Sequence, residues 1–209
     1  MFLKQMQVGF LAVCAYIVGD RDTGEGLVID PAASTEDIAA EAERNGITLK
    51  YIVNTHGHVD HISGNADMQK LTGARIVIHE ADAPLLTQTP SMMLRMFRAK
   101  ASPPADIIVR DGDVISVGGV NLNVIHTPGH TPGGMSLYLP GYVFTGDTLF
   151  VESVGRTDLP GASWNVMYNS IMKKLMTLPD ETIVLPGHNY GRTPTSTIGN
   201  ERRNNPFLR

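Results

Sequence analysis

Residues 55–65 read THGHVDHISGN, and four potential metal ligands lie within six of these positions. The four are His56, His58, Asp60 and His61, and the apolar run LKYIVN directly before them predicts a strand. Alternate residues of an extended segment point the same way, so His56 and His58 can converge on one ion. Once the chain turns, Asp60 and His61 can face a second ion. The stretch therefore predicts a metal site at the end of a strand.

Three later residues complete this candidate site, and each follows an apolar run that predicts a strand. They are His130 in TPGHTPG, Asp147 in FTGDT and His188 in LPGH. Each is preceded by glycine, which lets backbone pass close to a crowded centre because it has no Cβ. Imidazole and carboxylate ligands suit zinc and other first-row divalent ions, and the lack of cysteine disfavours a closed structural zinc site. The set predicts a reactive metal centre.

The composition limits the class of protein. The chain has 209 residues, of which 42% are apolar, so we expect one domain over residues 1–209 with a substantial core. The formal charge of −4 argues against a nucleic-acid surface. Cys14 is the single cysteine, which excludes an internal disulfide and favours the cytoplasm. The apolar run Val8–Val18 is too short to span a membrane, and we interpret it as a buried strand rather than a cleaved signal.

The remaining pattern alternates short apolar runs with helical segments and turns. The predicted strands are Ala12–Val18, Gly26–Asp30, Leu49–Asn54, Ala74–His79, Asp106–Val109, Val114–Val117, Leu122–His126, Met135–Leu139, Tyr142–Gly146 and Thr182–Leu185. The predicted helices are one from Ser34 or Thr35 to Arg44, Asn65–Leu71, Trp164–Leu178 and a short basic helix around Glu201–Arg203. We expect the first two strands to form a hairpin, and the mixture indicates an α/β fold.

The segment Ala81–Lys100 is rich in methionine and predicts a short helix, a loop and a second helix. Met92, Met93, Met96 and Phe97 recur at helical spacing. We favour a helix packed onto the domain. A mobile apolar lid or a homodimer contact is the alternative, because methionine side chains suit adaptable surfaces.

Other polar residues are interpreted as structural. Cys14 lies inside an apolar run and is expected to pack in the core. His79 and His126 each end an apolar strand and are expected to be structural. Arg156 and Asp158 are expected to form a local ion pair rather than to act in catalysis. For three further arginines we expect a solvated helix face, with contact to an anionic substrate tail as the alternative: Arg192, Arg202 and Arg203. Tyr190 follows His188 by two residues, so we expect it to pack there, with a hydroxyl pointed at substrate as the alternative.

The motifs quoted above resemble the successive signature motifs of the metallo-β-lactamase superfamily. The resemblance begins at LVIDPA (Leu27–Ala32) and extends along nearly the whole chain. GRTDLPG (Gly155–Gly161) and STIGNERRNNPFL (Ser196–Leu208) are similar to bacterial glyoxalase II-like proteins and to the persulfide dioxygenases. The resemblance implies an αββα sandwich of two mixed β-sheets flanked by helices. The resemblance also implies that the metal site lies at one edge of the sandwich, between the sheets.

The resemblance also implies how the ligands divide. One metal takes His56, His58 and His130, the second takes Asp60, His61 and His188, and Asp147 bridges them. Asp60 is in addition the candidate catalytic residue, and Asp30 is expected to steady the first histidine loop by hydrogen bonding. The expected cofactor is a pair of divalent ions, zinc first, with iron or manganese as alternatives. Such a pair ~3.5–4 Å apart can hold a bridging hydroxide.

The activity that follows is hydrolysis of a small-molecule thioester such as S-acylglutathione. The larger glyoxalase II enzymes carry a C-terminal helical domain that helps to bind glutathione, and this sequence does not contain it. The alternative chemistry is persulfide dioxygenation at a single iron, with His56, His130 and Asp147 as its ligands. A non-catalytic metal-binding module is the third hypothesis. It is disfavoured because all seven ligand residues are present.

Overall fold

A computed structural model describes residues 1–209. Its strands are β1 (Phe2–Val8), β2 (Val13–Gly19), β3 (Glu25–Ile29), β4 (Thr48–Val53), β5 (Arg75–His79), β6 (Ile107–Val109), β7 (Val114–Val117), β8 (Val120–His126), β9 (Met135–Leu139), β10 (Tyr142–Gly146), β11 (Leu149–Phe150), β12 (Ser153–Val154), β13 (Ile183–Pro186) and β14 (Ser196–Thr197). Its helices are α1 (Thr35–Arg44), α2 (Val59–Ile62), α3 (Asn65–Thr72), α4 (Leu85–Gln88), α5 (Ser91–Phe97), α6 (Trp164–Lys173) and α7 (Ile198–Asn204), with a 3₁₀ turn at Leu175–Thr177.

The strands form two six-stranded sheets, and each sheet is mixed. The first has the order β1-β2-β3-β4-β5-β6, antiparallel as far as β3 and parallel beyond it. The second has the order β14-β13-β10-β9-β8-β7, in which only β10 and β13 are parallel. Strands β11 and β12 form a separate ribbon. The predicted pair of mixed sheets is confirmed.

Strand β2 shows how the sequence produces the layers. All seven of its residues are buried, so it has no polar face and appears in the sequence as a continuous apolar run. Its alternate side chains enter different cores. Val13, Ala15 and Ile17 pack towards the helices outside the first sheet. Tyr16 and Val18 pack in the central core between the sheets.

The helices cover the two outer faces. Helices α1 and α3 pack on the first sheet through Ile38 and Met68, which are fully buried in the outer core on that side. Helix α6 covers the second sheet through Met167 and Ile171, in a third apolar cluster that also includes Ile198 of α7. The resulting order is helix, sheet, sheet, helix, as the α/β sandwich prediction requires. Because both sheets share the central core, we propose that residues 1–209 form one domain.

Two strand and helix predictions were wrong in their bounds. The run Val8–Val18 is not one strand, because β1 ends at Val8 and a turn separates it from β2. The helix from Trp164 ends at Lys173 rather than Leu178 and continues only as a 3₁₀ turn. Lys174 leaves helical geometry there, and its ammonium group donates hydrogen bonds to Asp111 and to the carbonyl of His126.

None of the helices has the length and apolar character that crossing a bilayer requires.

Candidate metal centre

The structure brings the seven predicted ligand residues to one edge of the sandwich. Each follows the end of a strand or lies in a connection between strands. His56 and His58 follow β4, and the one-turn helix α2 carries Asp60 and His61. The other three lie after β8, β10 and β13, and are His130, Asp147 and His188 respectively. Strand ends hold side chains rigidly, as a reactive site requires.

Three histidines form the first cluster. The ligand atoms of His56, His58 and His130 all lie within 4.8 Å of one another. His58 Nδ1 and His130 Nε2 are 2.9 Å apart. Two nitrogen ligands of one tetrahedral zinc ion lie about 3.3 Å apart, because each is ~2.0–2.1 Å from the metal. The spacing of these imidazoles therefore fits a shared cation.

The second cluster lies beside the first and has a carboxylate. Asp60, His61 and His188 also place their ligand atoms within 4.8 Å of one another. His61 Nε2 is 3.1 Å from His188 Nε2, and Asp60 Oδ2 is 3.4 Å from the same atom of His188. A carboxylate with two imidazoles is a donor set that zinc, iron and manganese accept.

Asp147 lies between the two clusters. Its Oδ2 is 3.5 Å from His130 Nε2 and 3.4 Å from His188 Nε2, and its Oδ1 is 3.4 Å from His61 Nε2. Asp147 Oδ1 and His56 Nε2 are buried without any hydrogen-bond partner. Buried polar atoms are rarely left without partners, so two such atoms at the centre of a donor cluster are atoms that cations would satisfy. The residues present therefore fit a metal centre.

Asp30 forms hydrogen bonds to the loop that carries His56, His58, Asp60 and His61, as expected. Its Oδ1 accepts a hydrogen bond from Thr55 N at 2.8 Å, and its Oδ2 accepts one from Thr55 Oγ1 at 2.6 Å and one from His61 Nδ1 at 2.9 Å. His56 Nδ1 in turn lies 3.1 Å from Thr55 Oγ1. Both oxygens of Asp30 are occupied in this way. Although Asp30 lies close to His56 and His61, its role is to orient them.

Backbone carbonyls orient two further histidines. His130 Nδ1 donates a hydrogen bond to the carbonyl of Arg156 at 2.7 Å, and His188 Nδ1 donates one to the carbonyl of Leu11 at 2.7 Å. Because a carbonyl oxygen can only accept, the hydrogen lies on Nδ1 in both rings. The lone pair of each Nε2 is therefore directed towards the cluster.

Asp82 is a supporting residue that the sequence analysis missed. It follows β5 and is fully buried. Its Oδ2 accepts hydrogen bonds from Gly57 N at 2.9 Å and from Thr131 Oγ1 at 2.7 Å, and its Oδ1 accepts one from Gly133 N at 2.7 Å. It therefore holds together the two loops that carry the first histidine cluster. The available signal was its position, because Asp82 and Asp30 both follow strands of the first sheet.

The surroundings of the two clusters have opposite effects on imidazole charge. Burial opposes charge on His61, but neighbouring carboxylates, Asp147 foremost, raise its pKa to about 9. Burial likewise opposes charge on His188, and hydrogen bonds to Asp147 and Asp60 raise its pKa to about 10. In the first cluster, burial and neighbouring imidazoles lower the pKa of His58 to about 4. His58 is therefore neutral at pH 7, whereas His61 and His188 attract protons.

Most of the surrounding polar residues have the structural contacts that were expected. His79 and His126 stack on each other with ring centroids 4.0 Å apart, and Cys14 is buried in the core. Arg156 and Asp158 form a surface ion pair with two hydrogen bonds of 2.9 Å.

Two residues near the C-terminus also have defined partners. Tyr190 stacks on His188 with ring centroids 4.6 Å apart, which agrees with its predicted packing role. Arg202 is exposed, as expected. Its guanidinium also donates hydrogen bonds to Asp180 and to the carbonyls of Met176 and Leu178, so it ties α7 to the 3₁₀ turn after α6 and the loop that follows it.

The methionine-rich segment forms the predicted helix, loop and helix, but α5 is not packed in the core. None of its residues is buried, and Met92 and Met96 are 72% and 64% exposed. Met93 and Phe97 instead line a cavity of about 810 Å³ that also reaches Asp60 and Asp147. The helix lies against the domain through its half-buried face, as expected, and the segment forms one wall of the cavity.

Comparison with known proteins agrees with this geometry. The family model described as Metallo-beta-lactamase superfamily matches residues 8–188. The human mitochondrial persulfide dioxygenase ETHE1 is 34% identical, over 99% of this chain and 75% of that protein. The Bacillus subtilis (strain 168) protein named probable metallo-hydrolase YqgX is 33% identical, over 98% of this chain and 96% of that protein.

Solved structures are also similar to this protein over nearly the whole chain. BLEG-1, a B3 metallo-beta-lactamase, superimposes with a TM-score of 0.89 at 32% identity, over 99% of both chains. ETHE1 from Myxococcus xanthus has a TM-score of 0.83 at 32% identity, over 99% of this chain and 84% of the other. TTHA1623, crystallised in a di-iron-bound form, has a TM-score of 0.85 at 33% identity, over 98% of this chain and all of the other.

The layered fold, the clustered ligand residues and the similarity over most of the chain all agree. Divalent metal use and a small-molecule substrate follow from them. The chain therefore belongs to the metallo-β-lactamase superfamily of metal-dependent enzymes.

Proposed function

We propose that this protein is a binuclear metal-dependent hydrolase of the glyoxalase II-like kind that cleaves thioesters such as S-acylglutathione. The observation that carries the proposal is the position of Asp147. Its carboxylate lies between two complete donor clusters and within 3.5 Å of nitrogens from both. This position allows one carboxylate to be shared by two cations, which supports a binuclear site.

The ligands divide as the family resemblance implies. His56, His58 and His130 would hold one cation, and a second set, Asp60, His61 and His188, would hold the other, with Asp147 shared between them. Three neutral imidazoles leave the first cation its full charge, whereas Asp60 and Asp147 offset the charge of the second. Zinc is the first choice for these nitrogen and oxygen donors, with iron or manganese as alternatives.

The bound cations would supply a water of lowered pKa and would polarise the acyl oxygen. The residues of the chain position the reactants. Asp60, Asp147, His58 and His130 face the cavity, whereas His56 is buried behind them. Although burial opposes it, the charges of His61 and His188 lower the pKa of Asp60, so it is a carboxylate at neutral pH. Asp60 can therefore accept a hydrogen bond from attacking water, which is its proposed catalytic role.

The test uses protein of defined metal content. With two zinc-group ions per chain, we expect hydrolysis of S-lactoylglutathione or of a simple S-acyl N-acetylcysteamine. The released thiol measures the reaction. We expect no oxygen uptake in the presence of glutathione persulfide. Oxygen uptake by protein holding one iron per chain, with no thiol released from any thioester, would overturn the proposal.

A second candidate function is supported by a specific similarity. The human and Myxococcus xanthus ETHE1 proteins match 99% of this chain, and the human protein is a persulfide dioxygenase. For that chemistry a single iron would use His56, His130 and Asp147, and His130 Nε2 lies 3.5 Å from Asp147 Oδ2. Two histidines and one carboxylate leave positions for dioxygen. The assay above separates the two candidates, because only the dioxygenase consumes oxygen.

A further inference from the structure

We propose that the cavity beside the metal centre binds an apolar acyl chain, so that the enzyme selects thioesters by their acyl group rather than by their thiol. This inference rests on the proposed thioester hydrolysis and adds the chemical class of substrate. It is carried by the size of the cavity, by the residues of its walls and by the scarcity of charged groups on them.

The cavity has the size of a small-molecule site. Its volume of about 810 Å³ lies within the ~300–1,000 Å³ range of ligand pockets. One wall comes from the segment around α4 and α5, with Leu85, Pro90, Met93 and Phe97. Other lining residues are Leu159, Pro160, Pro132 and Phe150. Apart from the ligand residues, the lining is mainly apolar, with Gln88, Thr89 and Thr131 as neutral polar members.

The apolar wall directly adjoins the candidate metal centre. Gly57, between His56 and His58, lies so close to Leu85 that a Cβ on Gly57 would be 2.6 Å from the Cβ of Leu85. Leu11 also lines the cavity, and its carbonyl accepts the hydrogen bond from His188. An acyl chain whose carbonyl carbon lies at the metal centre would thus contact aliphatic side chains directly beside it.

The cavity has few charged groups that could recognise the glutathione part of a thioester. That thiol carries two carboxylates and an ammonium group, and Arg156 is the only lysine or arginine that lines the cavity. The Arg156 guanidinium already donates two hydrogen bonds of 2.9 Å to Asp158. Asp158 thereby offsets the charge of Arg156 and weakens its attraction for a second carboxylate. An uncharged chain needs no ionic partner and gains free energy by leaving water.

Helix α5 provides a matched pair of methionines. Met93 lines the cavity, whereas Met96 is 64% exposed and faces away from it. The helix keeps its place through Phe97, whose ring centroid lies 5.1 Å from that of Phe10 in the turn after β1. Equivalent substitutions at the two methionines therefore separate an effect on the cavity wall from an effect on the helix.

Binding of uncleavable analogues tests the inference without requiring hydrolysis. The probes are S-alkyl thioethers of N-acetylcysteamine, from ethyl to octyl, titrated calorimetrically into the metal-loaded protein. We expect affinity to increase by about three- to fourfold for each added methylene, which is the effect of burying one such group. The S-octyl thioether of glutathione should bind no more than a few-fold more tightly than that of N-acetylcysteamine. Equal affinity for all chain lengths, or a large preference for glutathione, would overturn the inference.

Two variants of α5 test where the alkyl chain of the probe binds. Met93→Gln should reduce the ratio of octyl to ethyl affinity by about tenfold, because it places an amide against the alkyl chain. Met96→Gln should leave this ratio as in the wild type. Equal effects of the two substitutions would contradict the assignment of the wall.

The two proposals fail in different ways. Thioester hydrolysis at the same rate from acetyl to octanoyl, without chain-length dependence in binding, would refute this inference and leave the proposed function intact. Oxygen uptake without hydrolysis would refute the proposed function, while the thioether titration would still decide whether the cavity holds an apolar chain.

Discussion

Asp82 accepts a hydrogen bond from the backbone N–H of Gly57 at 2.9 Å, although 25 residues separate them. The same carboxylate accepts hydrogen bonds from Thr131 and Gly133 in the loop that carries His130. One buried side chain thus fixes the distance between two loops that approach the site from different sheets. The geometry of the first histidine cluster depends on it.

Asp82→Asn is therefore expected to weaken both metal binding and stability. The amide group of asparagine cannot accept all three hydrogen bonds, so a buried donor is left without a partner, at a cost of about 1–3 kcal/mol. Metal affinity should fall by about 10- to 100-fold, as is typical when a residue that orients ligands is changed. Competition with a chelator and chemical denaturation measure the two effects.

Asp113→Asn is the control for this change. Asp113 accepts a backbone N–H in an exposed turn, at 2.7 Å from Arg110 N, and lies outside the site. The Asp113→Asn substitution should therefore leave metal affinity unchanged. If Asp82→Asn binds metal as tightly as the wild type does, the two loops do not depend on Asp82.

Asp147→Ala is expected to affect both cations, because its carboxylate lies within reach of both clusters. We expect kcat/KM to fall by at least about 100-fold, since correct placement of the metals contributes several kcal/mol to catalysis. Metal content should fall below that of the wild type. Asp37→Ala, on the exposed face of α1, is the control and should change neither quantity. Full activity of a folded Asp147→Ala protein would refute the shared position of this carboxylate.

Metal binding at the second cluster should release protons. After chelation, His61 and His188 have pKa values of about 9 and 10, so at pH 7.5 the pair holds protons that a cation must displace. The pKa of His58 is about 4, so it has no proton to lose. Affinity of the second site should therefore increase as the pH rises towards 9.

Calorimetry in two buffers of different ionisation enthalpy counts these protons for each binding step. Metal binding without proton release at either step would contradict the raised pKa values of His61 and His188.

Gly64 should tolerate no larger residue. A Cβ at this position would overlap the backbone carbonyl of Pro31, which cannot move without shifting Asp30. Gly64→Ala should therefore lower the free energy of unfolding by about 3 kcal/mol or more, with a corresponding fall in Tm. Gly119→Ala is the matched control, because its Cβ would come no nearer than 3.4 Å to Asp20 Oδ2. Similar thermal unfolding of the two variants would count against this packing.

The sequence predicted the layered α/β fold because its buried strands carry a strong signal. Strands such as β2 are apolar on both faces, and the ligand motifs follow them directly. Strand β1 was missed because it lies at the edge of the first sheet, where only Phe2 and Val8 are buried and the alternation is weak. Helix α6 ends at Lys173, and the next residue contacts Asp111 and His126, which are distant in sequence, so sequence periodicity does not contain this information.

The glycines before the ligands show both the success and the limit of sequence reasoning. Gly187 behaves as predicted, because a Cβ there would collide with Asp147. Gly129 also lies in a crowded place, but its close neighbour is Met167 of α6 rather than the metal centre. A glycine in the local sequence indicates that the backbone packs closely against another group, but only the fold identifies that group. The role of Asp82 could not be predicted for the same reason, since its three hydrogen-bond partners are distant in sequence.

The number of metal ions per chain tests the central claim most directly. Protein purified without added metal can be measured by elemental mass spectrometry, with the thioesterase activity of the same sample. We predict close to two divalent ions per chain in fully active protein, and parallel loss of metal and activity on chelation. One iron per chain in fully active protein, with no gain from further metal, would contradict a binuclear hydrolase.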